Sequence, residues 1–204
     1  MGLSDLFRSP PPIRAPHELA QFIDERAAFL VQKGVFEYSR ARAGHYAKVL
    51  FSEPPFLQAI EEARWRMYPL GLAMVGEVVE GVLRADAGAD RNRHLAALSD
   101  LVLTVFDRYP VPDALAEDVW GDLRAELHRR LQLIGLHPRK RVIDIPEPLA
   151  ESYFKLMPIH EKLRGRDFPT MHNYLKIVLC NIHDELTGRV DVASLLKSLG
   201  GGSD

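Results

Sequence analysis

The chain has 204 residues, 47% of them hydrophobic and 26% charged, with a formal net charge of -2. That length and apolar content suffice for a sizeable core and exclude a chain disordered throughout. The balance of charge lacks the basic surplus of a nucleic-acid binder, and a single cysteine, Cys180, excludes a fold stapled by intrachain disulfides and fits a reducing, cytoplasmic setting.

Residues 1–15 hold Pro10, Pro11 and Pro12, which remove backbone donors and favour extended geometry, so a flexible or extended leader is expected there. It lacks the apolar stretch of a signal peptide. Gly2 invites a myristoylation reading, but Leu6 stands where that pattern needs Ser or Thr.

Pro16 suits a first helical position. Leu19, Phe22, Ile23, Ala27 and Leu30 then recur at three and four, the spacing of one helical face. Gly34 reads as the stop, with a second helix over 35–50. Ser52 or Glu53 precedes Pro54 and Pro55, which opens a third and central helix running to about Arg84. Its apolar run from Met67 to Gly76 falls short of the roughly 20 residues that cross a bilayer. Pro69 lies inside it and predicts an interruption, either a kink or two helices meeting at 66–68.

Gly88 and its flanking aspartates signal a turn, followed by a helix over 91–108. Pro110 and Pro112 separate that from a helix over 113–135, whose acidic residues lie early and whose arginines lie late, as the helix dipole favours. Residues 136–148 form the longest connection, and its β-branched runs have no partner strands. Helices over 148–164 and 169–186 follow, the second ended by Gly188. Asp191 caps a last helix at 192–199, and 200–204 reads as a frayed, disordered tail. The sum is an all-α bundle of about eight helices. A single domain over 16–199 is expected, with a sub-lobe boundary conceivable near 136–147. No repeat and no βαβ alternation is visible.

Chemistry is thinly signalled. The residue three before each of the eight histidines is never glutamate, which removes the Glu-x-x-His pairs of di-iron bundles. Cys180 and His183 share a helical face but have no second cysteine to complete a zinc site. No metal and no cofactor is expected. Two groups remain. Glu77 and Glu80, three apart in an apolar stretch, are paired carboxylates that either do acid-base work or take cations from neighbours. Together with Trp65 and Tyr68 they would line the internal site of a small-molecule or cofactor-binding helical enzyme. Arg139, Lys140 and Arg141, followed by Tyr153, His160 and Arg164, suggest an interaction face. Loops display polar contacts more readily than packed faces do, although a solvated loop explains the same residues. The leading expectation is therefore a helical scaffold or adaptor with a protein partner and no catalytic activity. No nucleic acid and no transmembrane segment are expected, and self-association is left open. The helical enzyme is the alternative.

Overall fold

Proline opens two long helices, and glycine closes only the first, where Gly44 takes a positive φ of 52°. In a computed structural model describing residues 10–200, apart from the side chains of Glu161 and Leu163, α1 spans Pro16–Ala43 and α3 spans Pro54–Leu83, with the short α2 (Ala47–Leu50) between them. The chain continues through α4 (Arg91–Phe106), α5 (Glu117–Ile134), α6 (Ala150–Lys155), α7 (Glu161–Arg164), α8 (Phe168–Arg189) and α9 (Val192–Gly200). The architecture is an all-α bundle. Seven of these helices have six residues or more, and α2 and α7 are single turns.

The core forms around α3. From Met67 to Glu80 every residue of that helix is buried, as expected of a helix apolar on all sides. It packs against α1, α4, α5 and α8. Gly71 lets α1 approach closely, because a Cβ there would lie 2.9 Å from Val31 Cγ2 and 3.2 Å from the Ala27 carbonyl oxygen. One hydrophobic cluster runs from Ile13 to Leu196, and the turn at Val142–Asp144 packs on α8.

Several boundaries differ from expectation. The predicted stop at Gly34 is absent, and α1 continues for nine further residues into what was expected to be a separate helix. The glycine serves packing instead, since a Cβ at this position would land on the Tyr153 hydroxyl and lie 3.1 Å from Tyr174 Cε1. α3 is likewise one helix with Pro69 inside it, not two helices meeting before it. Proline has no N–H, so the Trp65 carbonyl loses its helical donor there. The helix expected over 148–164 divides into α6 and α7 around Pro158, and the last long helix passes Gly188 to Arg189.

The leader also departs from expectation. Residues 1–9 lie outside the described residues, but Ile13 is 1% exposed and pairs in parallel with Val190. Its N–H donates to the Arg189 carbonyl at 2.8 Å, and its own carbonyl accepts from Asp191 N–H at 2.9 Å. Residues 10–15 are therefore docked, not loose. Next to them Glu18 accepts from the backbone N–H of Arg14 and Ala15, which closes the first turn of α1. Asp191 accepts from Ser194 N–H at 3.1 Å and caps α9 as expected. Gly200 ends that helix, and 201–204 lie outside the described residues.

Candidate functional site

The six residues expected to make one interaction face have separate fates. Tyr153 is fully buried and its hydroxyl donates to the Leu30 carbonyl at 3.1 Å, so it belongs to the core and cannot present a surface. Arg164 donates to the carbonyls of Ile159, Met157 and Phe154 at 2.6, 2.9 and 3.1 Å. A guanidinium with five donors is suited to closing a helix end in this way, and Arg164 holds the bend between α6 and α7. His160 is exposed and its Nδ1 takes Lys162 N–H. Arg141 makes a two-pronged contact with Asp144 at 2.7 and 2.9 Å, and that guanidinium holds the aspartate below its ordinary range. Lys140 turns inward to Glu77. Arg139 is exposed and forms no ion pair among the described residues.

The paired carboxylates also part company. Glu77 Oε1 lies 2.8 Å from Lys140 Nζ and 3.3 Å from His137 Nε2. With Arg130, Leu133 and Leu149 these residues line a depression of about 220 Å³. Glu80, 5% exposed, accepts two bonds from Arg84 Nε at 2.8 and 3.0 Å and lies 3.4 Å from Arg91. Those arginines reach on to the carbonyls of Ile134, Gly135 and His137. A buried carboxylate must be paired, and both glutamates are.

Trp65 and Tyr68 build a different place. The hydroxyls of Tyr68 and Tyr109 both donate to Asp24 Oδ1, at 2.7 and 2.9 Å, while Arg108 stands 3.5 Å from the other oxygen. Burial, then the hydrogen bond to the carboxylate, pushes both phenols above their ordinary range. Trp65 packs edge-on to Tyr68, Tyr109 and Trp120 with centroids 5.2–5.9 Å apart, and its Nε1–H donates to Glu61 at 2.7 Å. Two depressions flank this cluster. One, of about 170 Å³, is walled by Ala28, Val31, Arg64 and Tyr68, and the other, of about 320 Å³, by Pro110, Val111, Pro112 and Asp113. Trp65 and Tyr109 line both. Glu77 lines neither, so the four residues expected around one internal site do not share a cavity.

A further groove, larger than the depressions above, carries none of the residues expected to form a site. About 500 Å³ in size, it lies between the end of α1 and α2, lined by Phe36, Glu37, Arg40, Ala47, Lys48 and Phe51. Phe51 stacks obliquely on Phe36 at 5.9 Å and edge-on to Phe56 at 5.3 Å. Around it Tyr46 is 75% exposed, Val49 58%, Leu57 43% and Phe36 37%. The sequence places Phe36 on the loose apolar stripe of the helix expected over 35–50, and Phe51 and Phe56 are large side chains beside a connection, of the kind favoured at interfaces, but no spacing brings the three together.

Among the described residues no three His, Cys, Asp or Glu side chains gather as a metal site, and no helix is long and apolar enough to cross a membrane. The chain matches no family model, no curated protein and no solved structure.

Proposed function

We propose that this is a non-catalytic interaction protein that docks a protein partner on the end formed by the last turns of α1, by α2 and by the start of α3. One observation carries the reading: large apolar side chains stand exposed together around an open groove at that end. Contiguous exposed apolar surface rimmed by polar groups marks contact sites, and aromatics and arginines are the preferred anchors of interfaces. Arg40 and Lys48 line the groove beside the single carboxylate of Glu37, and all three are exposed, a basic surplus that favours a partner helix carrying acidic residues. The chemistry-bearing residues point the same way, since Glu77, Glu80 and Arg164 are engaged in holding the bundle. Exposed Arg139 is a candidate for a smaller, secondary contact. The lone, partly buried Cys180 suits a cytoplasmic setting.

A photo-crosslinking side chain placed at Tyr46, with exposed Asn181 on α8 as the control position, tests this in living host cells. A discrete adduct is expected from position 46 and not from 181. Adding Val49→Glu should abolish it with the melting temperature unchanged. Equal adducts from both positions, or none from position 46, would overturn the reading, and an adduct of twice the chain mass would reassign the surface to self-association.

A further inference from the structure

The pair of depressions around Trp65 and Tyr109 has a shape and a charge that the α1–α2 groove lacks, and the two grooves share no lining residue. We propose that this aromatic ridge is a second binding site, taking a proline-rich segment of another polypeptide followed by basic residues.

The argument starts from the rings. An aromatic cage for a cation needs rings held apart around an empty centre. Here Trp65, Tyr68 and Tyr109 touch one another at 5.2–5.9 Å between centroids, so nothing fits between them. Both phenol protons are already given to Asp24. What the cluster offers outward is a ridge with a shallow apolar depression on each side. A polyproline II strand matches that relief. It has three residues per turn and no internal hydrogen bonds, so its rings project in turn to either side. It is also already extended, so little order is lost on docking, and aromatic-lined grooves recognise such segments for that reason. The walls agree: Val31 and Ala28 on one side, Pro110, Val111 and Pro112 on the other.

Charge sets the direction and the flanking chemistry. Beyond Pro112 come Asp113, Glu117, Asp118 and Asp122, all exposed, with no Lys or Arg between 110 and 123. None of these four forms an ion pair among the described residues, and the next arginine, Arg124, is held by Asp107 at 2.7 Å. The side of Arg64 is different, since that residue is paired with Glu61 and lies over the Trp65 ring. A basic residue therefore belongs at the Pro112 end of the bound segment.

The probe is a synthetic peptide of about twelve residues with Pro-x-x-Pro spacing followed by two arginines. Its controls replace the prolines by alanine, or the arginines by glutamate. Binding to the full chain is read by tryptophan fluorescence and by amide shifts. The proline–arginine peptide should bind, and both controls should bind at least tenfold more weakly. Asp113→Lys with Asp122→Lys, two exposed changes that leave the core alone, should weaken the arginine peptide about tenfold and strengthen the glutamate peptide. Trp65→Phe, followed by amide shifts because it removes one of the two reporting indoles, should weaken binding of every proline peptide at a temperature where the variant is folded. Shifts confined to residues 36–57, equal affinity for the alanine control, or indifference to the lysine variant would each overturn the proposal. Those outcomes leave the α1–α2 groove reading untouched, because its test uses Tyr46 and Val49.

Discussion

At Gly34 a hydrogen is the largest side chain that fits. Alanine is better than glycine inside a helix by about 1 kcal/mol, so Gly34→Ala would stabilise an isolated α1. In the folded chain the new methyl meets the hydroxyl of Tyr153, a side chain with no exposed surface and no room to withdraw. Overpacking of this kind costs about 1–3 kcal/mol, and the net effect expected is a lowered melting temperature. Tyr153→Phe removes the colliding oxygen, so the double variant should recover much of the loss relative to Gly34→Ala alone. A raised melting temperature in the single variant would show that the helices yield. This residue also marks where sequence reading stops. A glycine after an apolar stripe looks like a helix end when only its neighbours are seen. The partner that demands it lies far along the chain, and no local pattern reports it. Tyr153 and Arg164 were misplaced for the same reason: polarity suggested a surface, while the fold uses one hydroxyl and one guanidinium to satisfy buried carbonyls.

Whole elements were more legible, because their evidence is local. The three-and-four spacing of α1, the proline and glycine boundaries of α4 and α5 and the cap at Asp191 all appear as helix signals. The role of α3 as the central helix follows from its lack of a polar face. What spacing could not say is how the elements are pinned to one another. Glu80 does this at the junction of α3, α4 and the end of α5, through Arg84 and Arg91, which also satisfy the last carbonyls of α5. Glu80→Gln leaves Arg84, 15% exposed, facing a neutral amide in a buried setting while Arg91, 30% exposed, can turn outward, and removing one partner of such a buried pair costs about 3 kcal/mol. Glu77→Gln should cost clearly less, because Lys140 and His137 are 28% and 31% exposed and can turn to water. Chemical denaturation of both variants checks the order; equal losses would deny Glu80 its special place. Pro69 belongs at this scale too. Replacing it by alanine returns a donor to the Trp65 carbonyl, so if the missing bond sets the path of α3 the Trp65 emission should change. Unchanged emission would mean that packing alone sets the path of α3.

For the whole molecule, the pattern that ties the bundle together is tyrosine, and it converges on α1. Tyr68 and Tyr109 donate to Asp24, Tyr153 and Tyr174 to the Leu30 carbonyl, and Tyr38 from α1 to Asp167. Five of the six tyrosines thus carry one helix to four other parts of the chain. In the sequence they are scattered single residues with no periodicity. Spacing and boundary residues therefore disclosed an all-helical chain without disclosing its wiring. Burial is the leading cause that raises each of these five phenols, with Tyr38 pushed up to about 12. In the unfolded chain a phenol titrates near pH 10. Below that, both states hold the proton and the stabilisation is fully present. Above it, the unfolded chain releases protons that the folded chain retains, so the unfolded state binds fewer and stability falls as pH rises through the tyrosine range. The prediction is a loss of helical circular dichroism above about pH 10, coincident with most of the rise in tyrosinate absorbance. Tyr38→Phe, Tyr109→Phe and Tyr174→Phe, made one at a time, should each shift that transition to higher pH in step with the burial they relieve, provided the variant remains stable at neutral pH. Ionisation of all the tyrosines near pH 10 with the helices intact would show that these hydroxyls face water and do not join α1 to the rest.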